Sequence, residues 1–308
     1  SFFTLYTNID GFSYSEEDVS FSERPELDRW ILSELNTLIE KVDKFYAEYE
    51  PTRAARAISD FTQDYLSNWY VRLSRRRFWK GDYQQDKISA YQTLYTCMVT
   101  IAKLGAPIAP FFMDKLYLDL NTVTQKETFE SIHLSQFPSF DVSYIDKSLE
   151  RKMENAQTIS SLVLSLRAKE KIKARQPLQK IMIPVDNAQQ KEEILAVANL
   201  IKHEVNIKEI ELLEDASGIL VKQIKPNFKT LGPKYGKDMK LISSAIQKFA
   251  KEEISILEKD GKIPVEIDGK FITLELADVE ISSKDIEGWL VANEGTITVA
   301  LDVTISEG

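Results

Sequence analysis

PTRAARAISDFTQDYLSNWYVRLSRRRFW, residues 51–79, is the stretch on which the fold turns. Pro51 suits the first turn of a helix, where its missing N–H removes no hydrogen bond. Ala54, Ile58, Phe61, Tyr65, Trp69 and Leu73 then recur at steps of three and four, the spacing of one helix face, until Gly81 stops the run. A long amphipathic helix of this kind needs other helices to cover its apolar stripe.

The flanking sequence supplies them. Upstream, Leu27, Trp30, Ile31, Leu35, Leu38, Val42, Phe45 and Tyr49 mark another helix. Downstream, Ile88, Tyr91, Leu94, Tyr95, Met98, Ile101 and Ala102 mark a third, interrupted by Gly105 and Pro107, and a short fourth fits Phe111 to Leu120. Short connections between such helices describe an antiparallel bundle. From Asn121 to Asp146 the period is lost, as in a connection running over a surface. Helicity resumes near Lys147 with Leu149, Met153, Ala156, Ile159, Leu162, Val163 and Leu166, and the basic run RAKEKIKARQP closes it before Pro177.

Beyond Pro177 the period changes. KIMIPV, IKEIELL and ILVKQI read as strands, Glu193–Glu204 and about Lys237–Lys251 as helices. The tail ISILEKDGKIPVEIDGKFITLELADVEI reads as strands punctuated by the tight-turn dipeptides Asp260-Gly261 and Asp268-Gly269, and TITVALDVTI adds one more. The fold class is therefore an α-helical bundle followed by a smaller α+β domain. The expected division is 1–26 as a leading connection, 27–146 as the bundle, 147–180 as a basic helix and linker, and 181–308 as the α+β domain.

Charge is segregated along the chain. The net charge is −9, yet residues 51–80 carry 7 Lys/Arg against 2 Asp/Glu and residues 147–180 carry 9 against 3. Such basic stretches are either solvated helix faces or the local positive charge that phosphate binding requires. One cysteine, Cys97, precludes a disulfide framework and points to a reducing compartment, the cytoplasm. His133 and His203 are too few and too far apart for a usual zinc site, and no Cys-His dyad, G-x-S-x-G elbow or P-loop is present. No apolar run approaches the roughly 20 residues of a membrane span, and Ser1–Phe12 lacks the basic start of a signal peptide. Binding is favoured over bond-making.

Pro51–Trp79 together with LDRWILSELNTLIEKV, residues 27–42, resembles the class I anticodon-binding bundle of isoleucyl-tRNA synthetases. LGAPIAPFFMDKLYLDL, residues 104–120, is similar to the next part of that bundle, and Ser1–Phe12 to the segment joining it to the catalytic domain. ARQPL, Ala174–Leu178, and KPNFKTLGPKYGK, Lys225–Lys237, resemble the C-terminal region of the longer form of those enzymes. LSRRRFW and KPNFKTLGPKYGK resemble the isoleucyl type, and the turn-punctuated strands of the tail differ from the coiled-coil arm in which the valyl enzymes end. The family's His-x-Gly-His and Lys-Met-Ser-Lys-Ser signatures are absent, as are the editing domain and the terminal zinc module.

The resemblance implies a stretch that binds the isoleucine tRNA beside a catalytic domain of the same chain. It implies no cofactor here, with ATP and Mg serving the whole enzyme. An unpaired loop is read by stacking and hydrogen bonds and held through its phosphates. The candidates are Arg72, Arg75, Arg76, Arg77 and Lys80 beside Trp69, Tyr70, Phe78 and Trp79. Arg167, Lys169, Lys171, Lys173 and Arg175 form a second set suited to stem phosphates, and Lys229 and Lys234, with Lys225 and Lys237, a weaker third. Measured from Leu73 on a helical wheel, Arg75 points outward, whereas Arg76 and Arg72 lie near the stripe and could pair with Asp60 or Asp64. Trp69 reads as core. The competing reading is a protein-docking module whose lysines touch no RNA.

Overall fold

The computed structural model describes residues 2–80, 82–214, 220–236, 239–267, 270–285 and 289–303. They fall into two compact units, Ser1–Arg151 and Lys152–Gly308.

The first unit is helical. It contains α1 (Phe2–Asp10), α2 (Glu26–Ala47), α3 (Pro51–Asp60), a π-helical segment (Phe61–Val71), α4 (Arg72–Lys80), α5 (Gln85–Gly105) and α6 (Pro110–Thr124). α2 packs against α3, the π segment and α5, and α5 packs against α6. Trp30, Tyr70, Phe78, Tyr91 and Tyr117 are fully buried in its core. Burying a side chain of Phe or Leu size stabilises a fold by ~1.5–3 kcal/mol, so this interior is what holds the bundle together. The leading segment is itself structured. Asp10 of α1 accepts hydrogen bonds from Lys87 Nζ (2.9 Å) and the Tyr91 hydroxyl, which fastens α1 to α5.

Residues 51–80 form one continuous helical rod whose middle departs from the α pattern. Phe61, Tyr65, Trp69 and Leu73 are spaced by four throughout, and an i→i+5 ladder turns each residue through a smaller angle than an α-helix does. The buried seam consequently shifts to Phe61, Leu66, Trp69, Tyr70, Ser74 and Phe78, leaving Tyr65 and Leu73 half-buried. Leu73 is thus a poor reference for the wheel that follows it. Gly81, the expected stop, lies outside the described residues.

Helix α7 (Lys147–Lys169) leads into the second unit and ends before the basic run does. There β1 (Leu178–Pro184), β2 (Ile207–Leu213), β7 (Trp289–Glu294) and β8 (Ile297–Asp302) make a sheet in the order β2-β1-β8-β7. β1 and β2 are parallel, joined through α8 (Ala188–Ala196) and α9 (Ala198–Val205), whereas β8 is antiparallel to both neighbours. Two further pairs are antiparallel: β3 (Leu220–Pro226) with β6 (Val279–Asp285), and β4 (Lys262–Ile267) with β5 (Lys270–Glu275). Ile224, Leu231, Ile242, Ile246, Leu257 and Leu274 belong to a second core under these pairs and helices α10 (Phe228–Tyr235), α11 (Met239–Ile246) and α12 (Lys251–Asp260).

The α+β class stands, with local corrections. The helix expected over Glu193–Glu204 is two helices meeting at Val197. Ile254–Asp260, read as the start of a strand, is helical, because Ile254 and Leu257 fall one turn apart and face the core. Gly261 then caps that helix in the left-handed conformation (φ 75°) rather than turning a hairpin. Asp268-Gly269 lies outside the described residues.

Candidate nucleic-acid interface

Helix α4 sorts its cations by the face they occupy. Arg77 lies beside the buried seam, and its guanidinium grips the fully buried Asp28 of α2 at 2.6 and 2.9 Å. Asp28 also accepts from the hydroxyls of Tyr70 (2.8 Å) and Ser89 (2.5 Å), while Arg77 reaches Asp86 at 3.0 Å. Burial alone would lower the Arg77 pKa, but the bonds to Asp28 more than offset it and raise the value. Burial and the Asp28 carboxylate raise the Tyr70 hydroxyl well above its ordinary range. Arg77, a candidate RNA contact by sequence, is thus committed to the fold.

The remaining α4 cations are exposed. Arg75 and Arg76 have no ion pair among the described residues, so the buried-edge pair expected for Arg76 is found at Arg77 instead. Arg72 donates from Nε to the Asn68 carbonyl (2.7 Å) and lies 5.7 Å from the centre of the Trp69 ring. Trp69 is core, as the sequence indicated. Trp79 is 67% exposed with Lys80 Nζ 5.6 Å from its ring, an aromatic face bordered by positive charge.

The second cluster is a basic turn following α7. Arg167 is buried and donates to the backbone carbonyls of Lys173 (3.2 Å), Gln176 (2.9 Å) and Asn206 (3.0 Å). Burial lowers its pKa. Its guanidinium ties the turn down, an engagement with backbone carbonyls where the sequence suggested a phosphate contact. Lys171 takes a left-handed backbone (φ 56°), and Lys169, Lys171, Lys173 and Arg175 are all exposed around the turn. These exposed charges are held on a backbone that Arg167 fixes.

In the third set Lys234 is engaged with Asp278 (2.9 and 3.2 Å) and Glu275 (3.3 Å), and the bond to Asp278 raises its pKa. Lys225 and Lys229 are exposed, as is Phe228 at 65%. Lys237 lies outside the described residues.

Sequence reading missed a cleft between α2 and α3. About 470 Å³ in volume, it is lined by Glu34, Lys41, Phe45, Arg53, Arg56, Asp60, Phe61 and Tyr65, among others. Arg53 lies 4.4 Å from the centre of the Phe45 ring, and the Phe61 and Tyr65 rings stack at an interplanar angle of 11°. The Trp30 indole donates to Glu34 Oε1 (3.3 Å). Burial, then the nearby Glu150 carboxylate, pushes the Glu34 carboxyl up to about 7. The residues come from α2, α3 and the π-helical segment and show no joint pattern in the sequence.

These features define a helical module with basic surfaces and, among the described residues, no cluster of His, Cys, Asp and Glu able to hold a metal. Residues 28–182 match the family model described as the anticodon-binding domain of tRNA ligase, and the chain belongs to that family. Its relatives narrow the class. The chain is 58% identical over 307 residues to the isoleucine-tRNA ligase of Bacteroides thetaiotaomicron, covering 100% of this chain and 26% of that protein. The figures for the isoleucine-tRNA ligase of Porphyromonas gingivalis are 57% over 306 residues, 99% and 26%. For that of Thermus thermophilus they are 34% over 307 residues, 100% and 29%. The chain therefore spans about a quarter of the length of the curated relatives it matches. Among the described residues no helix is long and apolar enough to cross a membrane.

Proposed function

We propose that this chain is the part of an isoleucine-tRNA ligase that holds the anticodon stem-loop of the isoleucine tRNA. The observation that carries the reading is that the anticodon-binding match, residues 28–182, contains both exposed basic clusters. Arg72, Arg75, Arg76 and Lys80 beside Trp79 suit an unpaired loop, because guanidinium groups and open aromatic faces stack on splayed bases. Lys169, Lys171, Lys173 and Arg175 suit the phosphates of the stem, which set register without reading sequence. Lys229 and Lys225 beside Phe228 form a weaker further contact.

Amino-acid activation with ATP and Mg belongs to a catalytic domain of the same parent protein, which works in the cytoplasm. This chain supplies affinity and recognition, not bond-making, since neither nucleotide-binding signature of the family occurs in it.

Equilibrium binding of isoleucine tRNA across a salt series tests the reading. The combined Arg75→Glu, Lys171→Glu and Lys173→Glu variant is expected to lose affinity and to flatten the slope of log K against log salt by about two to three units, through lost counterion release. Unchanged affinity and slope would make the clusters solvated faces and favour the protein-docking reading.

A further inference from the structure

On the inner side of the basic turn after α7, four successive backbone carbonyls, those of Lys173, Ala174, Arg175 and Gln176, each accept a hydrogen bond from one of two side chains. Arg167 takes the outer two, and the Asn206 amide donates to Ala174 (3.3 Å) and Arg175 (2.9 Å). Asn206 ends α9 in the left-handed region (φ 54°), which Asn tolerates better than most residues bearing a Cβ. β2 begins one residue later, with Ile207 opposite Leu178 of β1, so the parallel pairing sets Asn206 beside the end of the turn. The Asn206 carbonyl in turn accepts from Arg167 (3.0 Å) and from the Leu178 N–H (3.2 Å). While these carbonyls are held, Lys173 and Arg175 remain exposed, as do Lys169, Lys171 and the acid of the turn, Glu170.

We propose that Asn206 is a positioning residue for RNA binding, through which the junction of α9 and β2 shapes the basic turn. Asn206 lies outside residues 28–182, the anticodon-binding match, whereas the turn it holds lies inside. It acts through the turn and does not itself meet the RNA. By holding two adjacent carbonyls it fixes the spacing of Lys173 and Arg175, so that both meet phosphates from a backbone already in place. Binding otherwise loses affinity to the ordering of a loop, and rigidity supplied in advance recovers it. Asn suits the position twice over. Its amide nitrogen carries two donors, and its backbone accepts the left-handed conformation, whereas glycine, equally at ease there, has no donor to offer. This assignment rests on the tRNA-binding reading and adds to it a residue that prepares the contact.

The test uses the 308-residue chain, isoleucine tRNA and the variant Asn206→Gly, which keeps the left-handed backbone and removes only the amide. Affinity is expected to fall roughly three- to tenfold, the scale of the ordering cost that the clamp would otherwise remove. No charge is lost, so the slope of log K against log salt should stay nearly unchanged. Lys173→Ala combined with Arg175→Ala should instead flatten that slope by a little under two units. In that double-variant background Asn206→Gly should have no further effect on affinity, because the residues it positions are gone. Hydrogen exchange at the Gln176 N–H, which donates to Lys173 (3.0 Å), should quicken in Asn206→Gly. If tRNA binds the unaltered chain and Asn206→Gly equally well, or the variant loses the same factor with and without Lys173 and Arg175, the assignment fails while the tRNA reading survives. If the unaltered chain binds no tRNA, both fall.

Discussion

Arg77→Ala separates cations that build the fold from cations available to RNA. In the native protein the Asp28 carboxylate is fully buried and receives four hydrogen bonds: two from Arg77, and one each from Tyr70 and Ser89. Removing Arg77 leaves a buried negative charge with two neutral donors and no ion pair among the described residues. Breaking one side of such a pair costs about 3–5 kcal/mol, because the remaining charge keeps its desolvation penalty. For a unit of roughly 150 residues this corresponds to a fall in melting temperature of about 10 °C. Arg76→Ala, one residue away but exposed and without an ion pair among the described residues, should stay within about 0.5 kcal/mol of the unaltered protein. Thermal and urea unfolding followed by circular dichroism measure both. RNA affinity, taken well below the melting point, should fall for Arg76→Ala and hold for Arg77→Ala. Refutation would be Arg77→Ala melting with the unaltered protein while losing RNA affinity.

Glu34 has a folded value of about 7 against an ordinary 4.5, so its stabilising contribution is complete below 4.5 and lost as pH rises through 7. Glu34→Gln should accordingly stabilise the chain by about 2–3 kcal/mol at pH 8, allowing for partial solvent exposure, and by much less at pH 5. Equal effects at the two values would exclude a buried, charge-crowded Glu34. Arg167→Ala removes the donor to three backbone carbonyls and should cost about 2–4 kcal/mol, with faster proteolysis inside residues 170–177. Lys173→Ala at the same turn should leave stability nearly unchanged, and a matching loss from it would show that charge, not the tie, orders the turn.

The sequence made the bundle legible because Trp30, Leu35, Ile58, Tyr91 and Leu94 repeat at helix spacing over many turns, and long periodic runs have few other solutions. The strands Leu178–Pro184 and Ile207–Leu213 were legible as compact apolar runs flanked by turn residues. Ile254–Asp260 was not, since two isoleucines and a leucine before an Asp-Gly pair fit a strand and a helix equally until the core of the second unit selects one. The inward-facing arginine of α4 was placed one residue off for a different reason. The sequence gives no sign that residues 61–71 wind as a π-helix, and that change of pitch moves the core seam from Leu73 to Ser74 and Phe78. With the seam moved, Arg77 inherits the inward place assigned to Arg76. Arg167 looked like one member of a basic run, and only the closed turn shows its guanidinium facing three carbonyls. The cleft around Glu34 depends on α2 meeting α3 and the π-helical segment, which no single stretch records.

Photo-crosslinking of isoleucine tRNA to the intact chain, with the joined peptides read by mass spectrometry, tests the central claim most directly. Crosslinks are expected on α4 at Arg75, Arg76, Trp79 and Lys80 and on the turn at Lys169–Arg175, with the anticodon stem-loop as the RNA partner, and none at Arg77 or Arg167. Crosslinks confined to residues outside both clusters, or to parts of the tRNA other than the anticodon stem-loop, would contradict the account.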